Sequence, residues 1–361
     1  MKIKRIIICL VFALSITACS TKEEPKETNN QISENKQYLR KYDTVFYEYL
    51  DTVSTFIAYT ENEEDFKKYK DILEEDLKKY DQLYNSYDSF DGVNNIKTIN
   101  ENAGKKPVKV EPEIIELLDF SKDFYAKSNG KINIAMGRLI KLWHNERDNA
   151  MSNPEKAKIP SKESLEEAAQ YDDIDKIVID KTKNEVYIDD SNIQMDVGAI
   201  AKGFALKNIE EDLRDAGVKN AIVSVGGDDV IIGENPEKED GTFKIAIENP
   251  VRSKDEPYSS IIDLKYTTVV TSGDYQRYFK IGDKIYHHII DSDTMYPSQY
   301  FKSVSVIHDD IALADSLSTY LFTVDLEEGK KIAEEYGAEV FWIDNDLNEY
   351  RTCLLYTSPS P

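Results

Sequence analysis

A succession of short strand-like segments between residues 220 and 308 most constrains the fold of this chain. The segments are rich in Val, Ile, Thr and aromatic residues and are separated mainly by short turns: NAIVSV, DVIIG, FKIAIENP, SSIIDLKYTTVVT, RYFKIG, KIYHHII and KSVSVIH. Turns this short join antiparallel strands, because a parallel crossover needs about a dozen residues. The pattern therefore predicts mixed or antiparallel sheet.

Helical periodicity occupies separate stretches of the chain. Apolar residues recur at helical spacing over residues 64–84, 111–128, 199–216, 311–322 and 327–336. The second of these helices should stop at Asn129-Gly130, a good left-handed pair. Helices segregated from hairpins are typical of an α+β fold, and no repeat or linker divides the body over residues 42–350.

Four further segments have local signatures. Residues 46–59 are rich in aromatic and β-branched residues and predict a strand or hairpin, and KIVID, KTKN and EVYID predict a second hairpin. NIQMDVG, residues 192–198, predicts another strand. The Asn-, Asp- and Ser-rich residues 85–104 predict a loop ordered by bonds from side chains to backbone.

The chain is strongly acidic. Lys and Arg total 45 against 68 Asp and Glu, which gives a formal net charge of -23. Such a chain repels polyanions, so we expect no nucleic-acid partner. An anionic ligand would need local help from helix N-termini, backbone N–H groups or a divalent cation.

The first 18 residues have the pattern of a secretory signal peptide. A basic start precedes an apolar run from Ile6 to about Ile16, which is shorter than the roughly 20 residues of a membrane span. Residues 16–19 resemble a bacterial lipobox, which implies a lipid on Cys19 and attachment to the extracytoplasmic face of the cell membrane. An uncleaved anchor is the alternative.

Composition sets two more segments apart from the body. Residues 19–41 are polar and predict a flexible tether. CLLYTSPSP, residues 353–361, resembles a translated adapter sequence and is predicted to lie outside the fold. The body between them contains no Cys, so a disulfide, a thiol nucleophile and a thiolate metal site are excluded there.

The apolar helix at residues 311–322, IALADSLSTYLF, carries Asp315 and Thr319 one turn apart. Residues four apart on a helix point the same way, so the two oxygens would suit Mg²⁺. The alternative interpretation is that Asp315 and Ser316 lie near the helix start, where a carboxylate caps free N–H groups.

Two more runs carry polar groups that could take part in binding or catalysis. DVGAIAKGFA, beginning at Asp196, passes from strand to helix through small residues, and its backbone N–H groups could hold a phosphate beside Lys202. Tight strand-to-helix packing would explain its glycines equally well. His287 and His288 are adjacent, so only one of them faces a shared site. HExxH and GxSxG motifs are absent from the sequence, which removes zinc-protease and serine-hydrolase interpretations.

From about Tyr47 to Asp344 the chain resembles the FAD:protein FMN transferase family, often called the ApbE family. The resemblance is carried, in order, by DVGAIAKGFA, SVGGD at residues 224–228, TSGDYQRYF at 271–279, YHHIIDSDT at 286–294 and ADSLST at 314–319. It departs where Leu50-Asp51-Thr52 replaces a frequent Met-Gly-Thr and where Met295 replaces a turn-closing Gly. It also departs where Lys131-Ile132-Asn133 replaces the usual small residue, Phe and Asp, and where Ser224 replaces a frequent Asn.

This resemblance implies a reaction and a set of site residues. FMN is moved from FAD to a threonine hydroxyl of an acceptor protein, AMP is released, and the acceptor is expected to be membrane-associated and extracytoplasmic. His288 is implied as the base, and Mg²⁺ as held by Asp315, Thr319 and the backbone oxygen of Ala199. The implied flavin contacts are Leu50, Tyr87, Lys131, Ile132, Asn133, Asp196, Lys202 and Ile289.

Two other functions stay open at the level of sequence. The same site could use water in place of threonine and act as a Mg²⁺-dependent FAD pyrophosphatase. A non-catalytic, exported flavin-binding lipoprotein is the other, although a binding pocket needs neither a metal nor a base beside the pyrophosphate.

Overall fold

Antiparallel strands form the main sheet of the computed structural model, which describes residues 38–251 and 255–352. The strand bounds are β1 Arg40–Phe46, β2 Ser54–Thr60, β3 Val108–Lys109, β4 Ile177–Asp180, β5 Glu185–Ile188, β6 Ala221–Val225, β7 Asp228–Ile232, β8 Phe243–Glu248, β9 Tyr258–Leu264, β10 Thr268–Gly273, β11 Tyr278–Ile281, β12 Lys284–His287, β13 Phe301–His308, β14 Glu339–Asp344 and β15 Glu349–Arg351. Within the described residues, eight strands form one sheet in the order β1-β2-β6-β7-β10-β13-β14-β15. Every neighbouring pair in it is antiparallel.

Helices are segregated from this sheet. Their bounds are α1 Glu63–Leu83, α2 Ile96–Glu101, α3 Pro112–Lys127, α4 Gly137–Ser152, α5 Lys162–Ala168, α6 Ala201–Asp215, α7 Ile311–Phe322 and α8 Leu326–Tyr336. The chain leaves α3 through Asn129 and Gly130, both left-handed with φ of 50° and 83°. The predicted α+β fold is confirmed.

Strand β14 shows that the sheet is buried on both faces. Val340 and Trp342 point into the large core that the helices cover, whereas Phe341 and Ile343 point into a second cluster. The β8–β9 hairpin builds that second cluster by packing alternate residues of its strands against the sheet. Burial of both faces accounts for the nearly continuous apolar sequence EVFWID.

An aromatic cluster joins α4 to the β11–β12 hairpin. The ring of Trp143 on α4 stacks on Tyr286 with centroids 5.9 Å apart, and it meets Tyr296 edge-on at 5.6 Å. Phe279 stacks on Tyr286 from within the hairpin. The residues that follow β12 are thereby fixed relative to α4.

Two local predictions differ from the structure. The predicted loop 85–104 contains α2, which Asn95 begins with a capping box to Thr98. The predicted strand 192–198 forms only an isolated parallel bridge between Gln194 and Met136, with turns at Asn192 and Gly198, and the side-chain amide of Asn100 pairs with the backbone of the next residue, Met195. That amide accepts the N–H of Met195 at 2.7 Å and donates to its carbonyl at 2.9 Å.

Other element boundaries also differ. β1 begins at Arg40, inside the predicted tether, and residues 46–59 form the second half of a hairpin and its turn. The window SSIIDLKYTTVVT is divided into β9 and β10 by a turn, and the polar stretch after β14 contributes β15. β15 pairs with β14 at the edge of the sheet, where a strand needs few apolar residues.

The predicted signal peptide, Cys19, most of the tether and the tail at 353–361 lie outside the described residues. Within residues 38–251 and 255–352, no helix combines the length and the apolarity that a membrane span requires.

Candidate active site

Asp315 links α7 to the start of α6. The cap of α7 is Asp310, whose carboxylate accepts the N–H groups of Ala312 and Leu313, so Asp315 does not cap its own helix. Instead, its Oδ2 accepts the N–H of Gly203 at 2.6 Å. Gly203 is the third residue of α6, so a side chain from α7 caps α6. The capping interpretation is right that the Asp315 carboxylate caps a helix, but the capped helix is α6 and not α7.

Buried charge accumulates around this contact. Asp228, at the start of β7, is fully buried and forms an ion pair with Lys202 of α6. Burial, together with the charge of Asp228, raises the pKa of Asp315 to about 7, against the opposing effects of Lys202 and the Gly203 N–H. Burial disfavours charge on Lys202, but Asp228 and Asp315 raise its pKa. Two buried carboxylates therefore share one ammonium.

Thr319 lies beside a serine of β10. Ser272 Oγ is 3.4 Å from Thr319 Oγ1 and 2.7 Å from Ser318 Oγ, and Ser318 in turn donates to the carbonyl of Asp315. The TSGD and ADSLST motifs, far apart in sequence, thus meet through their hydroxyl groups.

This donor set fits a hard divalent cation. Asp315 supplies a carboxylate in a buried site with excess negative charge, and the Thr319 hydroxyl lies one turn along the same helix face. No group of three or more His, Cys, Asp or Glu side chains among the described residues is arranged to hold a metal. One carboxylate and one hydroxyl suit Mg²⁺, which usually keeps positions for water and for substrate phosphate oxygens.

A chain of three polar side chains lies at the DVGAIAKGFA turn. Asp196 Oδ1 accepts the N–H of Gly198 at 2.9 Å, and its Oδ2 accepts the hydroxyl of Tyr87 at 3.1 Å. The same hydroxyl lies 2.6 Å from Nδ1 of His144 on α4. Since Tyr87 donates its proton to Asp196, His144 is the donor in the second bond. Two predicted flavin contacts, Tyr87 and Asp196, are thus adjacent, and His144 joins them.

The two adjacent histidines have different surroundings. His287 is buried, accepts the N–H of Ile289 at Nδ1 and donates from Nε2 to the carbonyl of Ser298 at 2.7 Å. Among the described residues, Nδ1 of His288 is buried and has no hydrogen-bond partner. Burial, followed by the positive charge of Arg277, holds the pKa of His288 well below its usual 6.5. His288 is therefore neutral at physiological pH and has a free nitrogen that can accept a proton.

Several predicted flavin contacts have structural partners. Lys131 forms 2.8 Å ion pairs with Asp291 and Asp293. The amide of Asn133 donates to the carbonyl of Asp172 at 2.8 Å. Ile132 and Ile289 are buried in the large core, while the backbone N–H of Leu50 donates to Asp81 at 2.9 Å.

The two departures at glycine positions of the family pattern keep the backbone shape that glycine would favour. Asp51 has a φ of 53° and Met295 a φ of 65°, both in the left-handed region. The Trp143 indole N–H donates to the carbonyl of Met295 at 3.0 Å and helps to hold that turn.

Four residues of this site are not identified by the sequence patterns. These patterns give no role to His144, and they include Arg277, Ser272 and Asp228 only as parts of motifs. The signal available for the last two is their position in TSGD and SVGGD, each directly after an apolar strand. For His144 the sequence offers only a histidine on an amphipathic helix.

Comparison with known proteins agrees with the fold and with the order of motifs. Residues 50–342 match the model of the ApbE family. The chain is 29% identical over 253 residues to the FAD:protein FMN transferase of Klebsiella pneumoniae, covering 69% of this chain and 75% of the relative. The protein of the same name from Haemophilus influenzae is 28% identical over 251 residues, covering 68% and 70%.

A solved structure is similar over nearly the same span. The crystal structure of the ApbE protein from Thermotoga maritima has a TM-score of 0.76 and 26% identity, and the match covers 88% of this chain and 98% of that one. The arrangement of sheet and helices described above is therefore shared with a known fold.

Proposed function

Because the chain belongs to the ApbE family, we propose that it is a transferase that moves FMN from FAD to an acceptor protein. The observation that carries this proposal is the meeting of three family motifs at one buried polar site, where Asp315, Lys202 and Asp228 lie together. The relatives named above have this activity in their names.

Mg²⁺ is the cation that the donor set of this site suits. We infer that Asp315 and Thr319 hold it, together with the backbone oxygen of Ala199 at the turn into α6. Bound there, it would neutralise charge on the pyrophosphate of FAD. Lys202 stays close by, held by Asp228, and adds a fixed positive charge for the substrate phosphates.

His288 is the proposed base for a threonine of the acceptor. The threonine oxygen bonds to the phosphorus on the FMN side of the pyrophosphate, the bond from that phosphorus to the bridging oxygen breaks, and AMP leaves with that oxygen. The hydroxyl proton passes to Nδ1 of His288, which lacks a partner among the described residues. A neutral imidazole of lowered pKa can take that proton near neutral pH.

Flavin is proposed to lie along the surface that connects the Tyr87–Asp196 pair to the pyrophosphate site. The Tyr87 ring lies at the mouth of the site, and hydrogen bonds with Asp196 and His144 hold its hydroxyl in place. Leu50, Lys131, Ile132, Asn133 and Ile289 would then shape the pocket mainly through the backbone and core contacts described above.

Attachment to the membrane is the remaining part of the proposal. A lipid on Cys19 and a tether of about 20 residues would let the domain reach membrane-associated acceptors outside the cytoplasm. Replacement of Cys19 by Ala should release the protein from the membrane fraction. An unmodified Cys19 in membrane-bound protein, found by mass spectrometry, would contradict the anchor.

The test of function follows both products of the reaction. The purified protein is incubated with FAD, Mg²⁺ and a threonine-containing acceptor; AMP is quantified, and covalent flavin is read as fluorescence on the acceptor after denaturing electrophoresis. Transfer requires both products, and an acceptor with Thr replaced by Val should remain dark. AMP without protein-bound flavin across a range of acceptors would indicate a pyrophosphatase, and neither product would indicate a binding protein.

A further inference from the structure

Arg277 lies directly before β11, across the hairpin from His288. Tyr278 and His287 form the last pair of the β11–β12 ladder, so Arg277 and His288 are the residues immediately outside that pair. Both residues lie in bends at the open end of the hairpin, and the positive charge of Arg277 acts on His288. The hairpin thus presents a guanidinium beside the proposed base.

The position of Arg277 is held from a second direction. Its Nη2 donates to the backbone carbonyl of Asp51 at 3.4 Å, in the left-handed turn between β1 and β2. Gly226 also packs against this turn, because a Cβ there would lie 2.6 Å from Thr52 Oγ1. Arg277 therefore bridges the two segments that carry the SVGGD contact and His288.

Among the described residues, Arg277 forms no ion pair, although the chain has 68 acidic residues against 45 Lys and Arg. It is exposed, so its remaining donors are free to bind an anion. The net charge of the chain is -23, so acidic side chains are in excess. A guanidinium at the mouth of a site that has no carboxylate partner despite this excess indicates a role in binding an anion.

Four polar groups of the site experience this charge. Arg277 lowers the pKa values of His288 and His144, although burial is the larger cause for each. It also opposes the raised pKa values of Tyr87 and Lys202. Its positive charge therefore acts on both the tyrosine end and the lysine end of the site.

We propose that Arg277 binds a phosphate group of the flavin nucleotide and positions it beside His288. This rests on the proposed function and deepens it by naming a residue for the FMN side of the pyrophosphate. A planar guanidinium can hold two phosphate oxygens at once, which a lysine cannot do. The same charge adds to the effect of burial, which favours the neutral form of His288 that can accept the proton of the threonine hydroxyl.

The experiment separates phosphate binding from turnover by comparing FMN with riboflavin, which differs only in lacking the phosphate. Binding of each is measured by flavin fluorescence in metal-free buffer for the parent, R277Q, R277K and K280Q. Lys280 is an exposed cation on β11 whose charge is not among those acting on His288, so K280Q is the matched control.

We expect R277Q to weaken FMN binding by about tenfold or more, the effect of about 1.4 kcal/mol, and to leave riboflavin binding unchanged. R277K should recover part of the loss, and K280Q should resemble the parent. Equal FMN affinities for R277Q and the parent would overturn the proposal, and so would equal losses for FMN and riboflavin.

Turnover provides the second readout. In R277Q the acid limb of the pH profile of FMN transfer should move to higher pH, because His288 loses a neighbouring positive charge, while His144, His287 and Arg147 remain around it. An unmoved limb would contradict the effect on His288. If the parent itself made no AMP and no covalent flavin, the proposed function would fail, whereas the ratio of FMN to riboflavin affinity would still test Arg277.

Discussion

The backbone N–H of Gly203 donates to Oδ2 of Asp315 at 2.6 Å, so the first turn of α6 and the second turn of α7 share one hydrogen bond. The contact requires glycine, because a Cβ at this position would lie 2.4 Å from the Asp315 Cβ and 2.7 Å from the carbonyl of Ile311. The same carboxylate that caps α6 is the proposed metal ligand. The Asp315 side chain therefore has a packing role between α6 and α7 and a proposed role in binding the metal.

Gly203→Ala should separate α6 from α7. The added methyl group collides with backbone and with a Cβ atom that cannot rotate away, so we expect a loss of about 1–3 kcal/mol in unfolding free energy. Urea unfolding measures it. Gly329→Ala in α8 is the control: its Cβ would meet Trp342 at an ordinary 3.6 Å, and the helix should gain about 0.5–1 kcal/mol. Equal stabilities of the two variants would contradict the close approach.

Asp315→Asn should abolish most Mg²⁺ binding without unfolding the protein. The amide oxygen can still accept the Gly203 N–H, but the negative charge is lost, and we expect at least a tenfold drop in affinity, or about 1.4 kcal/mol. Thr319→Val should weaken binding less, since it removes a neutral ligand. Calorimetric titration with Mg²⁺ and FAD measures both.

Ser316→Ala is the matched control for these two variants. Its hydroxyl is buried in the same helix and donates to the carbonyl of Ala312, so it has no path to the metal. Parent-like Mg²⁺ affinity in both Asp315→Asn and Thr319→Val would place the cation elsewhere.

His288→Ala should retain FAD binding and lose FMN transfer by about 10²- to 10⁴-fold, the usual contribution of a positioned base. His287→Ala should instead reduce stability, because it leaves the Ile289 N–H without its partner and removes one of the two side chains that donate to the Ser298 carbonyl. Its transfer rate per folded molecule should stay near that of the parent. Single-turnover assays with covalent flavin as the readout separate the two. Undiminished transfer by His288→Ala would remove this residue from the mechanism.

Asp76 on α1 should make the fold less stable as pH rises. Burial, then the charge of Asp212 on α6, raises the pKa of Asp76 from 3.8 to about 6. The folded state thus binds this proton more tightly than the unfolded chain, and the stability it provides below pH 4 is lost as pH passes 6. Asp76→Asn should therefore raise the unfolding free energy at pH 8 by about 1–3 kcal/mol.

The pH dependence of this gain distinguishes its cause. The difference between Asp76→Asn and the parent should shrink towards pH 4.5, where Asp76 is largely neutral, and Asp71→Asn on the exposed side of α1 should change little at either pH. A gain that is independent of pH would assign the effect to packing and not to charge.

Much of the local structure follows from neighbours in sequence. The apolar spacing of IALADSLSTYLF predicts α7 with its bounds unchanged, and the Asn129-Gly130 pair predicts the end of α3. The order of motifs, through the resemblance to a known family, predicts that Asp315, Thr319 and Asp196 belong to one site. The helix and its stop depend on side-chain periodicity and on the backbone preference of one or two residues.

Other features have no such local signal. Asn100 pairs through its side-chain amide with the backbone of Met195, which lies 95 positions away, and Gln194 forms an isolated bridge with Met136, so the predicted strand is replaced by contacts that sequence periodicity does not signal. His144 joins Tyr87 across 57 positions and enters the site only because Trp143, its neighbour on α4, packs against the β11–β12 hairpin.

The sequence by itself determined most of the helices and strands, the α+β class and the residue types available for chemistry. Only the tertiary structure decided that Asp315 caps α6 and not α7, across 112 positions, that one ammonium serves two buried carboxylates, and that Arg277 lies beside His288. The physical reason is the distance along the sequence over which each kind of interaction acts. Propensity, capping and turn preferences act over a few residues, whereas burial and charge pairing depend on which surfaces meet once the chain has folded.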